Sequence, residues 1–291
     1  MSAVVPGTRS PLLIAALVLV LLAGCSATRF AYNNADFYLR WQAGRYLDLR
    51  REQSELLDVR IAAFMAWHRA EAMPIYARLA AETAVRFADG LSREDLDWGY
   101  DSILMQVRQS VRTAAEEFAP LLDRLSPEQI AHLGERLTDD NRKFADEHLP
   151  GTLAERKARR LRRNLERLED WLGTLSDAQI ERVRQYAERA PLVDERRVVE
   201  RRRRQGELLE MLRRREAERR LADWAVNWDR ERDPTYQTAL RAQREEYFRL
   251  LLDLDTTLDA EQRRWALARL EGYTGEFRVL AQQSGVRSVS R

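Results

Sequence analysis

Arginine side chains at helical spacing are the residues of this sequence with the clearest chemical potential. Of 49 basic residues, only Lys143 and Lys157 are lysines. Arginine binds phosphate and carboxylate groups in a bidentate manner, which lysine does not. The candidate ligand or partner residues form one stripe on a predicted helix and a second set in the next basic segment: Arg156, Arg160, Arg163 and Arg167, then Arg197, Arg201 and Arg204. Side by side, they would form a positive face, but interspersed glutamates favour an ordinary solvated surface.

Two short polar and aromatic clusters form a second candidate site. The first lies near the N-terminus and the second in the middle of a predicted helix: Tyr32, Asn33, Asn34 and Asp36, then Trp67, His68, Arg69 and Glu71. If the helices bring these clusters together, they could bind a small polar group. The structural alternative is that Asn34 or Asp36 caps the first helix and His68 completes an apolar stripe.

The sequence shows no pattern typical of an enzyme or a metal site. His68, His132 and His148 are isolated, and none has a zinc-ligand spacing. Carboxylates alternate with arginines along helix faces, so no acid and base pair stands out. We therefore expect no enzymatic activity, no cofactor and no metal. The net charge of only +2 also argues against a nucleic-acid partner.

The N-terminal residues predict export followed by lipid attachment. Residues 12–23 are an unbroken apolar run of twelve, which at 1.5 Å per residue is too short for the roughly 30 Å hydrocarbon layer of a bilayer. The residues that follow, Leu22-Ala23-Gly24-Cys25, resemble the bacterial lipoprotein box, whose cysteine is acylated, with palmitate among the acyl chains, when the leader is removed. Cys25 is also the only cysteine.

This resemblance divides the chain into three predicted parts. Residues 1–24 form a signal peptide that is removed, residues 25–35 a lipidated N-terminus and short tether, and residues 36–291 a helical domain. Ser26 stands where the usual inner-membrane retention signal has Asp. The predicted location is therefore the cell envelope, with the protein anchored to the outer membrane and facing the periplasm.

Helical periodicity dominates the rest of the sequence. Leu57, Ile61, Phe64 and His68 follow one another at steps of four, three and four, as on one face of a helix. The predicted fold class is all-α, a single elongated bundle of about eight or nine helices. The predicted helices cover residues 36–48, 51–88, 93–118, 126–148, 153–172, 177–189, 194–231, 235–254 and 259–282. The segment 194–231 is expected to form one long arginine-rich helix that extends partly from the body.

A Leu-x-x-x-Gln pattern recurs at several predicted helix starts. It occurs as Leu125-Ser-Pro-Glu-Gln129, Leu175-Ser-Asp-Ala-Gln179 and Leu258-Asp-Ala-Glu-Gln262, and in altered form as Leu91-Ser-Arg-Glu-Asp95. The spacing of serine and glutamine is that of a capping box, in which each side chain pairs with the backbone N–H of the other residue. The pattern also resembles the Leu-Thr-x-x-Gln motif of periplasmic chaperones and stress regulators, which are helical and exported.

A broader resemblance covers most of the mature chain. Its motifs are Phe30-Ala-Tyr-Asn-Asn-Ala-Asp36, Leu47-Asp-Leu with Gln53, Trp67-His-Arg-Ala-Glu71 ahead of Pro74 and Tyr76, and Trp171 to Gln179. In this order they are similar to a family of bacterial lipoproteins of unknown function. The resemblance implies a helical fold and a lipid anchor, and it implies nothing about a reaction or ligand.

Two functions agree with these observations. The first is a lipid-anchored periplasmic interaction module, chaperone-like or related to envelope stress, that offers an apolar groove with charged rims to an envelope protein partner. The alternative is a binder of anionic envelope ligands, lipopolysaccharide or cell-wall polymer, through the arginine-rich helix faces.

Overall fold

The computed structural model describes residues 28–283. The predicted leader and the lipidation residue Cys25 lie outside this range. Eleven α-helices follow one another between Ala35 and Gln282, residues 28–33 are also helical, and none of the described residues is in a strand. The helices are α1 Ala35–Leu47, α2 Arg51–Trp67, α3 Met73–Ala88, α4 Arg93–Leu122, α5 Pro127–His148, α6 Leu153–Leu172, α7 Asp177–Arg189, α8 Asp194–Arg213, α9 Ala217–Val226, α10 Pro234–Asp255 and α11 Ala260–Gln282.

The all-α class is confirmed, whereas the predicted number of eight or nine helices is too low. The first additional break lies between α2 and α3, where His68–Ala72 forms a π-helical turn and the N–H of Met73 donates to the carbonyl of His68. Pro74 follows directly, and a proline has no N–H to donate and crowds the carbonyl four residues before it. The wider π turn accommodates this defect without ending the helical path.

The second additional break divides the segment 194–231, so the prediction of one long helix there was wrong. The helix α8 ends at Arg213, Arg215 adopts a left-handed conformation with φ of 54°, and α9 begins at Ala217. The carboxylate of Asp123, at the end of α4, accepts hydrogen bonds from the N–H groups of Ala217 (2.8 Å) and Glu218 (3.0 Å). A carboxylate at this position satisfies free N–H groups and complements the helix dipole.

The arginine-rich helix α8 does not extend from the body, contrary to the prediction. Val198, Met211 and Leu212 are buried, and α8 packs against α5. A few apolar residues at helical spacing are sufficient to fix this helix, because the aliphatic parts of the long arginine side chains cover the apolar surface around them.

Two main hydrophobic cores organise the helices. The first joins the end of α1, the second half of α4, the first half of α5 and the α8–α9 junction, with Met211 and Leu212 almost fully buried. The second joins α6, α7, α10 and α11 around Val183 and Leu254. A smaller cluster packs α2 on α4 through Ile61 and Leu121. The helix α4 takes part in the first core with its second half, and its first half borders the second core.

The Leu-x-x-x-Gln motifs form capping boxes, as predicted. In α5, the N–H of Gln129 donates to Ser126 Oγ at 3.3 Å, and the N–H of Ser126 donates to Gln129 Oε1 at 2.9 Å. Ser176 and Gln179 repeat these two distances at the start of α7. The altered motif at Ser92 and the motif at Asp259 are capping boxes too.

The glutamines of these boxes meet in pairs across the fold, which the sequence analysis did not anticipate. Gln179 Nε2 donates to Gln262 Oε1 at 2.8 Å, and Gln262 Nε2 donates to Gln179 Oε1 at 3.0 Å. Gln53 and Gln129 form the same reciprocal pair at 3.0 and 2.8 Å. Each pair therefore fastens two helix starts together, and the Gln179–Gln262 pair fixes α7 and α11 next to α6.

Candidate functional site

An arginine-rich cleft of about 680 Å³ lies where α4, α6, the start of α8 and α10 meet. We refer to it as the arginine cleft. Seven arginines and three aspartates line it, a net charge of +4, while the whole chain carries only +2. The charged lining residues are Arg160, Arg163, Arg167, Arg197, Arg232, Arg241 and Arg244, with Asp101, Asp194 and Asp229. The cleft thus carries a local excess of positive charge.

Three of these arginines are unpaired within the part of the chain that the structure describes. Arg163, Arg167 and Arg197 make no side-chain hydrogen bond and no ion pair within residues 28–283. By contrast, Asp229 of the cleft is already paired with Arg108 at 3.0 Å. An unpaired guanidinium keeps its full fork of N–H donors available for an oxyanion. The cleft therefore presents free donors together with uncompensated positive charge.

Arg160 forms the floor of the cleft and is only 6% exposed. Its guanidinium donates to the carbonyl of Ala190 and, at 2.8 Å, to the carbonyl of Pro191. These carbonyls follow the end of α7, where the helix dipole is negative and a cation is stabilising. Burial lowers the pKa of Arg160, and Asp194 opposes that shift by favouring the charged form. Arg160 thus fixes the junction of α7 and α8.

Two further arginines are held in place at the cleft by neighbouring side chains. Arg232 Nε lies 3.8 Å from a carboxylate oxygen of Glu200, and the guanidinium of Arg244 stacks on the ring of Tyr100 at 4.7 Å. These contacts limit where the two guanidinium groups can lie.

The structure brings together four of the seven arginines named from sequence and places three elsewhere. Arg160, Arg163, Arg167 and Arg197 line the cleft. Arg156 pairs with Glu195 at 2.6 Å. Arg201 donates to Asn141 at 3.2 Å, and Arg204 stacks on Trp224 at 3.8 Å with its pKa lowered by burial. The glutamates expected to neutralise the stripe do so at Arg156 and leave the cleft positive.

Sequence reasoning missed the part of the cleft that α10 contributes. Arg241, Arg244 and Tyr247 lie on α10, and Tyr100 and Asp101 lie on α4. The only local signal of the α10 residues is their spacing of three, which any exposed helix face can show.

An apolar groove of about 550 Å³ adjoins the arginine cleft. We refer to it as the apolar groove. Its lining residues come from the end of α3, the first turns of α4, the end of α6, the second half of α10 and the first half of α11. The apolar lining residues include Phe87, Leu96, Trp98, Ile103, Leu168, Trp171, Phe248, Leu251, Leu258, Ala266 and Leu270. Tyr100, Arg167, Arg244 and Tyr247 line both spaces.

The two polar and aromatic clusters named from sequence also meet. The Tyr32 hydroxyl lies 2.8 Å from His68 Nδ1, and the guanidinium of Arg69 lies 5.4 Å from the ring of Tyr32. On the other side of His68, the Tyr76 hydroxyl lies 3.5 Å from Nε2 and 3.0 Å from Ser110 Oγ. Both ring nitrogens of His68 are therefore occupied by neighbours within the protein.

Burial governs the protonation of this network. It lowers the pKa of His68, with a further contribution from the positive charge of Arg69, and it raises the pKa of Tyr32 to about 12. Both shifts favour the uncharged forms of the His68 ring and the Tyr32 hydroxyl near pH 7. Together with the ion pair between Arg29 and Glu276 at 2.7 Å, it attaches the N-terminal segment to the π turn and α11.

The remaining polar residues of these clusters take no part in the network. Asn34 stands at the N-cap of α1, but its side chain donates to the carbonyl of Phe30 at 2.7 Å and does not cap the helix, so that part of the structural alternative is wrong. Asp36 contacts Arg40 at 3.4 Å. Asn33 and Glu71 form no side-chain contact within residues 28–283, and Trp67 packs beside Phe64.

Searches for a metal site and for a membrane span give negative results within the described range. No group of three or more His, Cys, Asp or Glu side chains is arranged there to hold a metal ion. None of the helices between residues 28 and 283 combines the length and apolar character required to cross a bilayer.

Comparison with known proteins identifies one family. The profile of a family of unknown function (DUF6279) matches residues 45–237, about two thirds of the 291-residue chain. No curated protein and no solved structure matches the chain. The matched range begins in α1, ends in α10 and contains the α6 and α8 arginines of the cleft.

Proposed function

The chain belongs to this family of unknown function, and from its geometry we propose that it is a binding protein for anionic, phosphate-bearing ligands of the cell envelope. The observation that carries the proposal is the meeting of Arg163, Arg167 and Arg197 in one cleft, where none of them forms a hydrogen bond or ion pair with another described residue. The proposed activity is binding and not catalysis.

The chemistry of the cleft favours phosphate over a single carboxylate. Guanidinium groups from α6, α8 and α10 surround one volume, so they can donate to several oxygens of one group from different directions. A tetrahedral phosphate offers oxygens in all of these directions, whereas a carboxylate offers two in one plane. Phosphates of lipopolysaccharide and of cell-wall polymers carry this chemistry.

The test is calorimetric titration of butyl phosphate into the chain from Ser26 onward. All contacts described above lie within residues 28–283, so this chain retains them. Replacing Arg163 with Gln is expected to weaken binding about tenfold or more, since a hydrogen bond to a charged group contributes about 1.5–3 kcal/mol. Binding should also weaken with added salt because the cleft is open to solvent.

Arg162 provides the matched control. It is the neighbour of Arg163 on α6, it is exposed, and it also forms no ion pair within the described residues, but it does not line the cleft. Arg162→Gln removes the same charge from the same helix. Equal losses for the two variants would show that only the overall charge matters and would refute a specific site.

A second candidate function is binding of an envelope protein partner in the apolar groove, in a chaperone-like manner. It is supported by the groove itself and by the charged residues on its rim, among them Arg86 and Asp95. The test is suppression of aggregation of an unfolded client, and a variant that fills the groove, Gly99→Leu, should abolish it. Unchanged suppression by that variant would contradict a role for the groove.

We also propose that lipid on Cys25 holds the protein at the outer membrane, facing the periplasm. Four exposed aromatic residues in the first described segment after the predicted anchor support this location: Phe30, Phe37, Tyr38 and Trp41. Aromatic side chains of this kind are favoured at membrane interfaces. A Cys25→Ser chain should leave the membrane fraction of cells, and its retention there at mature size would refute the anchor.

A further inference from the structure

We propose that the arginine cleft and the apolar groove form one site for a single anionic amphiphile, a molecule with a phosphate head group and a linear hydrocarbon tail. This inference rests on the proposed anion-binding function and adds the class of ligand. The head group binds among the arginines of α6 and α10, and the tail lies in the groove.

The two spaces adjoin and share four lining residues. Tyr100, Arg167, Arg244 and Tyr247 line both of them, from α4, α6 and α10. A ligand whose phosphate contacts Arg167 or Arg244 therefore has its next atoms at the entrance of the groove. The two tyrosines place rings at this boundary, where an amphiphile changes from polar to apolar.

Charge is distributed along the site in the way an amphiphile requires. At the boundary, Arg167 forms no hydrogen bond or ion pair within residues 28–283. Elsewhere in the groove lining, the charged residues already neutralise one another, because Arg86 pairs with Asp95 at 2.8 Å and Asp255 pairs with Arg263 at 3.1 Å. Free positive charge is thus found at one end of the site, and the remainder presents satisfied or apolar surface.

The groove fits a hydrocarbon tail better than a peptide. An extended peptide brings an N–H and a carbonyl with each residue, and each would need a partner in the groove. Among the polar groups there, Asp255 already accepts from the N–H of Leu91 at 2.9 Å, and Arg86 and Asp95 pair with each other at 2.8 Å. A hydrocarbon tail makes no such demand. Ile103 on the rim is 62% exposed and would gain cover from a tail.

The size of each of the two spaces agrees with a small ligand group. The groove measures about 550 Å³ and the cleft about 680 Å³, and each value lies within the roughly 300–1,000 Å³ that ligand pockets in proteins commonly measure.

The experiment measures the affinity of the chain from Ser26 onward for butyl, hexyl and octyl phosphate, each as monomer in solution. Burial of a methylene contributes about 0.8 kcal/mol, which is about fourfold in affinity. Affinity should therefore rise steeply from butyl to octyl phosphate. Octyl maltoside, with the same tail and a neutral head group, should bind at least tenfold more weakly than octyl phosphate.

Gly99 allows the tail to be tested apart from the head group. It lines the groove inside α4, and a Cβ at this position would meet nothing within 4 Å. Gly99→Leu should fill the groove and remove the increase in affinity from butyl to octyl phosphate. It should not weaken the binding of butyl phosphate. Gly275→Leu is the control, because Gly275 lies inside α11, has equally open space and lines neither the cleft nor the groove.

Each result decides between the proposals. If butyl phosphate binds and longer tails add nothing, or if Gly99→Leu keeps the gain, the amphiphile is refuted and the anion site stands. If no alkyl phosphate binds, both proposals fail. Three other results would also overturn the inference. They are equal affinities for octyl maltoside and octyl phosphate, tighter binding of an acidic amphipathic peptide than of octyl phosphate, and binding to phosphatidic acid vesicles without any binding of monomers.

Discussion

The buried pair of Gln179 and Gln262 should be strongly coupled in its effect on stability. Gln179 is 1% exposed and Gln262 is 6% exposed. Gln179→Ala removes both hydrogen bonds of the pair, the acceptor for the N–H of Ser176 at 2.9 Å, and the donor to the carbonyl of Thr257 at 3.1 Å. The groups that remain are buried and lose their partners.

The magnitude follows from these losses. An unsatisfied buried group costs about 1–3 kcal/mol, and loss of a helix cap costs about 1 kcal/mol. The free energy of unfolding should therefore fall by about 3–5 kcal/mol in Gln179→Ala. Gln262→Ala should cost a similar amount. The double variant should cost about 1–2 kcal/mol less than the sum of the single variants, because the second substitution removes a group that the first has already left unpaired.

Urea unfolding of the four proteins measures this coupling, provided that the slope of the transition does not change. Gln185→Ala is the control on the same helix, since Gln185 is exposed and bonds only to neighbours one turn away. It should change stability by no more than about 0.5 kcal/mol. Additivity of Gln179→Ala and Gln262→Ala within about 0.5 kcal/mol would refute the argument that the pair joins two helix starts.

Three further predictions follow from single side chains. Asp123→Ala should lower the free energy of unfolding by about 1–2 kcal/mol, measured by urea unfolding, because Ala217 and Glu218 lose their cap; an unchanged midpoint would contradict this role. Hydrogen bonds from Ser92 and Arg86 lower the pKa of Asp95 to about 2. The contribution of Asp95 to stability should therefore be complete above its ordinary pKa near 4 and be lost as the pH falls through 2. The unfolding midpoints of Asp95→Asn at pH 3 and pH 7 should differ less than those of the parent chain. Burial raises the pKa of the Tyr32 hydroxyl to about 12. Its contribution to stability should therefore be complete below pH 10 and be lost as the pH rises through 12. In a pH titration, the tyrosinate absorbance of the folded protein should show one late-titrating group, and Tyr32→Phe should remove it.

Local interactions determined the helix starts, and these could be predicted from sequence. The box at Ser126 and Gln129 and the box at Ser176 and Gln179 each close within three residues, so their signals lie in the sequence itself. The apolar stripe ending at His68 is likewise local, because residues three and four apart share a helix face.

The sequence by itself thus determined the all-α class, the positions of most helices and the arginine stripe of α6. Only the tertiary structure decided which arginines share a cleft: Arg197 joins Arg163 and Arg167, whereas Arg201, one turn further along α8, faces Asn141. It also decided that α8 ends before α9, since the cap is supplied by Asp123, 94 residues earlier in the chain than Ala217. The physical reason is the range of the interactions, because capping and periodicity act over one or two turns, whereas a cleft, a groove or a borrowed cap depends on which helices pack together.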